Sequence, residues 1–419
     1  MRKDIFPFIY YENGKLKVDG VEVELLAKEF GTPLYVYSKS ALEFWFKEFD
    51  SAFSTVPHIT CFAVKSNSNV AVLKVLKELG AGADTVSKGE IFRALLAGID
   101  PKKIVFAGVG KREDEIEYAL EKDILMINVE SESELFLINK VAERLGKVAP
   151  IAFRVNPEVD AKTHPYISTG LKTSKFGVNF EDAVRLYKLA KDLKNVNPIG
   201  IHFHIGSQIE DVSAFGEAAR KVKEIVKELF SLGIEIEYFD AGGGLGINYD
   251  PSKPFVSSQN LAKEIVPIVK ELGLKLILEP GRRISGNCGI LLTKVIFKKE
   301  RDEKLFYIVD AGMNDLARPS LYNAYHHIVP TTFKEGKGKR ADVVGPICET
   351  GDILAKEREL PPLEEGETLA VLSAGAYGFT MSSNYNSRPR AAEVLVDNGS
   401  YKLIRQRETL GDLVAREIF

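Results

Sequence analysis

Short apolar runs alternate with amphipathic stretches from residue 38 to residue 281. Eight of these runs are rich in apolar or β-branched residues: Ile59–Val64, Gly82–Val86, Ile104–Ala107, Leu125–Val129, Ile151–Val155, Ile199–Ile205, Glu237–Ala241 and Lys275–Glu279. Continuous runs of this kind are typical of parallel strands that are buried on both faces. Helical patterns separate them, and the clearest are Ala41–Phe53, Val70–Leu79, Glu181–Leu193 and Phe215–Leu232.

This alternation predicts an α/β fold in which eight parallel strands and their helices close into a (β/α)8 barrel. We predict the barrel over residues 35–281, with one helix ahead of the first strand. An open, doubly wound sheet is the alternative, but no GxGxxG fingerprint follows the first predicted strand.

The pattern changes after Gly281, where strand-like runs follow one another without long helices between them. These runs are Gly289–Phe297, Leu305–Ala311, Asp342–Cys348, Leu369–Ala374 and Ala391–Val396. Asn398-Gly399, and Asn13-Gly14 between Phe8–Tyr11 and Lys15–Val18, are strong hairpin signals. We therefore predict a second, mostly antiparallel β domain in which residues 1–34 pair with residues 282–419.

One connection is too long for a simple barrel. Residues 156–177 show no clear helix or strand pattern, and structureless loops above about 15 residues inside a compact domain are usually functional or disordered. We interpret this segment as a loop that covers the functional site.

Length and charge narrow the class of protein. The 419 residues suit a barrel plus a second unit, and a net charge of −3 argues against a nucleic-acid binder or a basic membrane-surface protein. No run approaches the roughly 18 apolar residues of a transmembrane helix. Three widely spaced cysteines, Cys61, Cys288 and Cys348, form neither a CxxC pair nor a disulfide framework. They favour a cytoplasmic protein, and we expect no metal.

Three segments carry the candidate chemistry: Lys65-Ser66-Asn67, His204-Ile205-Gly206-Ser207-Gln208 and Glu279-Pro280-Gly281-Arg282. Each follows a predicted strand, where a barrel enzyme places its reacting groups. A lysine that can form a Schiff base, an imidazole, a glycine-rich turn and a carboxylate are the parts that a pyridoxal 5′-phosphate (PLP) site needs.

Each part also has a plainer interpretation. Lys65 could extend its charge to solvent from a strand end, although burial of its stem would favour a nucleophilic amine. His202 is predicted to be a packed core residue, whereas His204 lies at the strand end before a Gly-Ser pair. The glycine-rich turn after the seventh strand, which includes Gly243 and Gly244, would suit any tight turn, but phosphate sites of barrels often use this loop.

Over nearly the whole chain these motifs resemble the PLP-dependent amino-acid decarboxylases of the alanine-racemase fold, and most closely the diaminopimelate-specific group. The resemblance implies that Lys65 holds PLP through a Schiff base and that Asp84 and Glu90 support the cofactor and its lysine. It also implies that His204 stacks on the pyridine ring and that Ser207 contacts the phosphate.

Glu279 is the most discriminating of these residues. A carboxylate at the pyridine nitrogen stabilises the protonated ring, which then accepts the electrons left by departing CO2. Related racemases place an arginine there, so Glu279 favours a decarboxylase. The Gly281 backbone and Arg282 are expected beside the cofactor.

The substrate pocket follows from the same resemblance. Arginine holds a carboxylate bidentately, and Arg282, Arg318 and Tyr322 match residues that receive the distal carboxylate of an amino acid with two carboxylates. Glu349 is expected to meet the distal amino group, and Tyr377 is expected to contact cofactor and substrate.

Cys348 could be an ordinary buried cysteine, but the segment ICETGD matches the family's catalytic cysteine. The resemblance implies that Cys348 protonates the carbon that loses CO2. It also implies that Cys348 and Glu349 reach the site from the neighbouring subunit, so that a homodimer shares its active sites.

The implied activity is decarboxylation of meso-2,6-diaminopimelate to L-lysine and CO2, the last step of lysine biosynthesis. Alternatives are decarboxylation of arginine, ornithine or a carboxylated polyamine such as carboxynorspermidine, racemisation of an amino acid, and non-catalytic PLP binding. Glu279 disfavours the racemase, and the large C-terminal domain with Cys348 disfavours the non-catalytic protein.

Overall fold

The chain forms two compact units in the computed structural model, which describes residues 1–160, 169, 175–254, 256–302, 304–336 and 338–418. The first unit comprises Met1–Trp45, Ile247–Phe255 and Ile284–Phe419, and the second comprises Phe46–Gly246 and Val256–Arg283. We call them the β unit and the barrel unit.

The strands among the described residues are β1 (Ile9–Glu12), β2 (Lys15–Val18), β3 (Val21–Glu22), β4 (Leu34–Ser38), β5 (His58–Ala63), β6 (Gly82–Thr85), β7 (Ile104–Phe106), β8 (Met126–Val129), β9 (Ala149–Arg154), β10 (Val196–His202), β11 (Tyr238–Asp240), β12 (Lys275–Leu278), β13 (Gly289–Arg301), β14 (Lys304–Val309), β15 (Ile328–Pro330), β16 (Arg340–Val344), β17 (Ile353–Glu359), β18 (Thr368–Val371), β19 (Ala392–Asp397) and β20 (Ser400–Arg405).

The α-helices of the same residues are α1 (Val23–Phe30), α2 (Lys39–Ala52), α3 (Val70–Glu78), α4 (Lys88–Leu96), α5 (Glu113–Glu121), α6 (Glu132–Arg144), α7 (Ala183–Asp192), α8 (Ser213–Ser231), α9 (Ser258–Leu272), α10 (Arg282–Ser285), α11 (Arg318–Tyr322) and α12 (Leu410–Val414). None of them is both long enough and apolar enough to traverse a lipid bilayer.

The barrel unit confirms the predicted fold class. Strands β5 to β12 close into a barrel, and all neighbouring strands are parallel. Helices α3 to α9 lie in the connections between them, and α2 precedes β5. Each strand begins and ends within three residues of its predicted bounds, because buried apolar runs are unambiguous when helices flank them. The open-sheet alternative is wrong.

The strands are held together by an apolar layer inside the barrel. Its buried members come from six strands and the residue before one of them: Cys61, Val105, Leu125, Met126, Ala152, Tyr238 and Ile277. Side chains on alternate positions of a barrel strand point inward. The C-terminal strand ends above this layer are therefore free to carry polar groups.

The β unit contains a nine-stranded, mostly antiparallel sheet whose main path is β17-β16-β14-β13-β4-β19-β20, with β18 paired to β13 and β15. The hairpin at Asn398-Gly399 is confirmed, since β19 and β20 are antiparallel and both turn residues have positive φ, of 46° and 83°. Among the strands outside the predicted set are β15 and β17. The three-residue β15 ends in proline, and β17 is a charged edge strand, so neither shows an apolar run.

The N-terminal strands differ from the prediction. The Asn13-Gly14 hairpin forms, but β1 and β2 join β3 in a separate three-stranded sheet, and one isolated bridge links Lys15 to Thr332. The N-terminal strand in the large sheet is instead β4, which pairs with β13 and β19. The predicted boundary at residue 35 cuts β4, whereas compactness places the whole strand in the β unit.

The long connection predicted over residues 156–177 falls largely outside the described residues, which omit 161–168 and 170–174. The C-terminal end of this connection, which is described, forms hydrogen bonds with the barrel. Val178 forms a parallel bridge with Val155, and the Gly177 amide donates to Glu130 Oε2 at 2.7 Å.

Candidate functional site

The candidate cofactor site lies at the C-terminal ends of the barrel strands. Lys65 follows β5, Asp84 lies in β6, and Glu279 directly follows β12. His202 ends β10, and Asp240 ends β11. Because parallel strands end at the same rim of a barrel, these side chains converge there although up to 214 residues separate them in sequence.

Lys65 makes an ion pair with Asp84. Its Nζ lies 2.7 Å from Asp84 Oδ2, and Asp84 is fully buried. Burial, followed by the charge of Glu279, raises the pKa of Asp84, while Lys65 opposes the rise. The lysine side chain itself is 37% exposed, so the expected burial of its stem is only partial.

Glu279 belongs to a cluster of three buried groups. His202 Nε2 lies 3.3 Å from Glu279 Oε2, and one ligand atom from each of His202, Asp240 and Glu279 lies within 4.8 Å of the others. His202 is buried, as expected of a core residue, but it contacts a site carboxylate. The sequence contained a signal for this, because His202 and His204 are two residues apart in the predicted strand Ile199–Ile205, where alternate residues share a face.

The two carboxyls of this cluster are driven in opposite directions. Burial raises the pKa of Glu279, but His202 and then Lys65 outweigh it and lower the pKa to about 2. Burial and then the charge of Glu279 raise the pKa of Asp240 well above its usual range. Two adjacent buried carboxyls cannot both ionise cheaply. Asp240 is therefore the carboxyl of the pair that binds a proton more readily, and Glu279 is the one that ionises more readily.

His204 is held as a neutral ring. Its Nδ1 accepts a hydrogen bond from the Gly243 amide at 3.2 Å, which assigns the remaining proton to Nε2. Burial, followed by the positive charges of Arg154 and Lys65, lowers the pKa of His204 well below its ordinary value. A neutral imidazole in a fixed plane is suited to stacking against a flat ring.

The glycine-rich turn lies directly after β11. A Cβ on Gly243 would lie 2.0 Å from Glu279 O, and one on Gly244, where φ is +119°, would lie 2.2 Å from Gly206 O. The tight approach therefore requires glycine at both positions. In the same unit Arg282 Nη2 donates to Ser207 Oγ at 3.0 Å. A guanidinium, a hydroxyl and a glycine turn together make an anion-binding edge.

Gly281 closes the same region, since a Cβ there would lie 3.0 Å from Ala63 Cβ and from Ser66. Glu90 lies in the first turn of α4, where its Oε2 accepts from the Val86 amide at 2.8 Å. Burial raises the pKa of Glu90 to about 7. Glu90 therefore changes charge near neutral pH.

Arg154 is a site residue that the sequence did not reveal. It ends β9, its Nη1 lies 2.9 Å from Glu130 Oε1, and its guanidinium lies 4.5 Å from the Phe176 ring centroid. Burial raises the pKa of Glu130, but Arg154 and Lys111 outweigh it and lower the pKa. The position of Arg154 at a strand end was the one sequence signal that it belongs to the site, because its partners come from other connections.

In the β unit, Arg318 and Tyr322 begin and end the single turn of α11. Arg318 is buried and Tyr322 is half-buried. The Arg318 guanidinium contacts His326, with Nη1 and Nε2 2.7 Å apart, and lies 4.4 Å from the Tyr249 ring centroid.

Cys348 and Glu349 are exposed in the same unit. The Cys348 amide donates to Asn386 Oδ1 at 3.0 Å, and the Tyr385 hydroxyl donates to Glu349 Oε1. The backbone of Tyr377 is left-handed, with φ of 54°. Non-glycine residues in this conformation are uncommon and cluster at functional sites.

Comparison with known proteins defines the class. Residues 40–286 match the family model described as pyridoxal-dependent decarboxylase, pyridoxal binding domain. The chain is 54% identical to diaminopimelate decarboxylase of Aquifex aeolicus over 412 residues, which cover 98% of each protein.

Solved structures agree over the full length. Diaminopimelate decarboxylase from M. jannaschii, in co-complex with L-lysine, has a TM-score of 0.95 and 42% identity over 99% of this chain and 98% of that one. The Helicobacter pylori enzyme, complexed with L-lysine, has a TM-score of 0.91 and 44% identity over 94% and 99%. The chain is thus a pyridoxal-dependent decarboxylase by its barrel. More narrowly, it belongs to the diaminopimelate decarboxylase family.

The cofactor of this family is PLP, and the residues present fit it. Lys65 supplies an amine with a carboxylate partner at 2.7 Å, and Glu279 supplies a carboxylate buried beside it. His204 supplies a neutral ring, while Ser207 and Arg282 supply the anion-binding edge. These donor types match the aldehyde, pyridine nitrogen, ring and phosphate of PLP.

Proposed function

We propose that this chain converts meso-2,6-diaminopimelate to L-lysine and CO2, the step that completes lysine biosynthesis. The observation that carries the proposal is Glu279, a buried carboxylate whose pKa is lowered to about 2 beside His202 and Lys65. When bound, PLP accepts the electron pair that a departing carboxylate leaves behind. An ionised carboxylate at the pyridine nitrogen strengthens that capacity.

Lys65 is the amine to which we attach the cofactor. Asp84, at 2.7 Å, holds the amine in place and balances its charge. The Glu90 carboxyl lies close enough to be influenced electrostatically by both groups. Once the substrate amine takes its place, Lys65 is free to hold or return a proton beside the reacting carbon.

Phosphate binding is assigned to the turn after β11 and to the residues beside it. Ser207 and the backbone amides of Gly244 and Gly281 are the proposed donors, and Arg282 supplies positive charge, while Gly243 lets the turn approach closely. His204 limits the freedom of the ring by stacking, because its Nδ1 is engaged by the Gly243 amide.

The far end of the substrate carries a carboxylate and an amine. We assign the carboxylate to Arg282, Arg318 and Tyr322, and the amine to Glu349. Tyr377, with its left-handed backbone, is assigned to both cofactor and substrate. These assignments favour a substrate with two carboxylates over ornithine or arginine, whose far ends are cationic.

Cys348 is the proposed proton donor. The thiol is exposed, and it would give its proton to the carbon as CO2 leaves, so that carbon–hydrogen replaces carbon–carbon. The resulting thiolate recovers its proton from solvent. We propose that Cys348 and Glu349 act on the site of the neighbouring subunit in a homodimer. We place the enzyme in the cytoplasm, which the free thiols of Cys61 and Cys288 support.

A substrate panel tests the proposal. Purified holoenzyme is incubated separately with meso-diaminopimelate, arginine, ornithine and carboxynorspermidine, and CO2 is measured. We expect CO2 from meso-diaminopimelate alone. Release from one of the others only would assign a different substrate, and loss of optical rotation from L-arginine or L-ornithine without CO2 would indicate a racemase.

A further inference from the structure

The β unit holds a guanidinium in an arrangement that the proposed function does not explain. Arg318 is 4% exposed and lies between two side chains from separate segments. Its Nη1 is 2.7 Å from His326 Nε2, and its Cζ is 4.4 Å from the Tyr249 ring centroid. We call Tyr249, Arg318 and His326 the Arg318 clamp.

The hydrogen bonds of His326 determine where its proton lies. His326 Nδ1 is 2.8 Å from the Leu372 carbonyl oxygen, which can only accept, so Nδ1 carries a proton. Arg318 Nη1 can only donate, so Nε2 presents its lone pair. His326 is therefore a neutral imidazole with one donor and one acceptor, both engaged.

The backbone around His326 is fixed by a strand pair. His326 precedes β15, which is antiparallel to β18, and the Leu372 amide donates to the His327 carbonyl at 2.8 Å. The segment of β15 thus supplies the imidazole, and the segment of β18 supplies the carbonyl that orients it. The ring of Tyr249 meets His326 edge to face, with centroids 5.1 Å apart and planes at 72°. A side chain held by packed neighbours on a sheet is pre-organised.

These two partners of Arg318 can orient its guanidinium, and neither of them carries a negative charge that would neutralise it. A carboxylate partner would orient a guanidinium but also cancel much of its charge. The neutral imidazole and the aromatic ring orient Arg318 without adding negative charge. Neither of these two partners therefore weakens the attraction of the guanidinium for an incoming carboxylate.

We propose that His326 and Tyr249 position Arg318 for the distal carboxylate of the substrate, and so set the preference of the site for ligands that carry this group. The inference rests on the proposed function, which assigns Arg318 to that carboxylate. His326 and Tyr249 are positioning residues, since they act through Arg318. A pre-ordered donor reduces the loss of side-chain freedom on binding, and the gain applies only to ligands that use the donor.

Two small ligands isolate the effect. L-Lysine carries the distal carboxylate, and cadaverine (1,5-diaminopentane) is the same chain without it. The dissociation constants of the PLP-loaded enzyme for both are measured by titration calorimetry. The dissociation constant for cadaverine divided by that for lysine reports recognition of the carboxylate, and this ratio does not depend on turnover.

His326→Leu removes both hydrogen bonds and retains an apolar side chain. We expect lysine to bind roughly tenfold or more weakly, because a misplaced donor loses its geometry, while cadaverine binding changes little. The KM for meso-diaminopimelate should rise more than kcat falls. His326→Gln, whose amide offers one donor and one acceptor, should restore most of the discrimination. His327→Leu is the matched control, and it should retain the wild-type ratio.

The outcomes distinguish the assignment of Arg318 to the distal carboxylate from the positioning role of His326 and Tyr249. A wild-type enzyme that binds lysine no better than cadaverine would overturn the assignment of the distal carboxylate itself. A wild-type enzyme that discriminates, with His326→Leu and Tyr249→Leu discriminating equally well, would overturn the clamp alone. If His326→Leu does not fold, Tyr249→Leu and Arg318→Lys are measured instead. Both variants should lower the ratio, which means a weaker preference for lysine over cadaverine.

Discussion

Glu279 and Asp240 show how strongly position acts on single residues at this site. Both are buried carboxyls at adjacent strand ends, yet the pKa of Glu279 is lowered to about 2 while that of Asp240 is raised well above its usual range. The difference lies in their neighbours, because Glu279 contacts His202 whereas Asp240 lies next to the charge of Glu279. Glu279 is therefore the carboxylate that we propose to face the cofactor.

Replacing each carboxyl by its amide tests this assignment. Glu279→Gln removes the ionised group and should lower kcat about 100-fold or more, as loss of a pre-organised electrostatic contact does. Asp240→Asn resembles the protonated acid and should retain kcat within about tenfold of wild type. Cofactor content, measured by visible absorbance, must be equal in both variants. Equal loss of kcat in the two variants would refute the assignment.

Glu90 predicts a pH dependence of stability. Its pKa is raised to about 7 by burial, so the folded state binds this proton more tightly than the unfolded state. Its contribution to the free energy of unfolding is fully present below about pH 4.3, the ordinary glutamate pKa. The contribution is lost as pH rises toward about 7.

The test compares wild type with Glu90→Gln, which keeps an acceptor for the Val86 amide. Between about pH 4.3 and about pH 7, the wild-type free energy of unfolding should fall relative to that of the variant. Urea titrations at several pH values measure the difference. A constant difference across this range would contradict the raised pKa.

The convergence of residues at the barrel rim was predictable from sequence only where a short motif carried it. Lys65 and Glu279 lie in such motifs and reach the same barrel rim in the structure. The contacts of His202 and Arg154 could not be predicted, because their partners Glu279 and Glu130 come from other strand ends. Distance in sequence conceals such pairs until the barrel closes.

At the scale of elements, the turn after β11 decides how closely backbone segments approach. A Cβ on Gly243 would lie 2.0 Å from the Glu279 carbonyl oxygen, which belongs to the rigid end of the neighbouring strand. The turn can hold its shape only if this position has no side chain. Substitution must therefore move either the turn or Glu279.

Gly243→Ala should destabilise the fold by about 1–3 kcal/mol, as overpacking of a rigid site does, and should weaken PLP binding. Gly110→Ala is the matched control, since a Cβ there meets nothing within 4 Å. The control should remain within about 0.5 kcal/mol of wild type. Denaturant unfolding and PLP titration of the apoenzyme measure both effects. An unchanged affinity for PLP in Gly243→Ala would exclude the turn from the cofactor site.

Elements with strong local signals were predictable, and edge elements were not. The buried barrel strands and the Asn398-Gly399 hairpin were predicted because apolar runs and turn residues identify them locally. The short β15 and the charged β17 lack such runs. The pairing of β4, rather than β1 and β2, with the large sheet depends on tertiary packing that no local pattern records.

At the scale of the whole molecule, the proposed active site needs residues from two chains. The barrel unit contains Lys65, Asp84 and Glu279, while the β unit contains the exposed Cys348 and Glu349. The sequence resemblance implies that Cys348 acts across a dimer interface. Neither composition nor strand pattern carries information on assembly.

Mixed dimers test the shared site. Lys65→Ala and Cys348→Ala should each be nearly inactive alone. If each site takes its lysine from one chain and its cysteine from the other, a mixed dimer contains one intact site. Mixing the two variants under subunit exchange should therefore restore up to one wild-type site per mixed dimer, measured as lysine formation. Absence of any gain, with exchange verified by differently tagged chains, would place both residues in the same subunit.

The measurement that tests the central claim most directly is the stoichiometry of the reaction. Holoenzyme is given meso-diaminopimelate, CO2 and L-lysine are quantified in the same sample, and Lys65→Ala serves as the control. We predict equimolar CO2 and L-lysine from the wild type and neither from the variant. A wild-type protein that carries lysine-bound PLP and yields no lysine, or CO2 and lysine in unequal amounts, would contradict the proposed function.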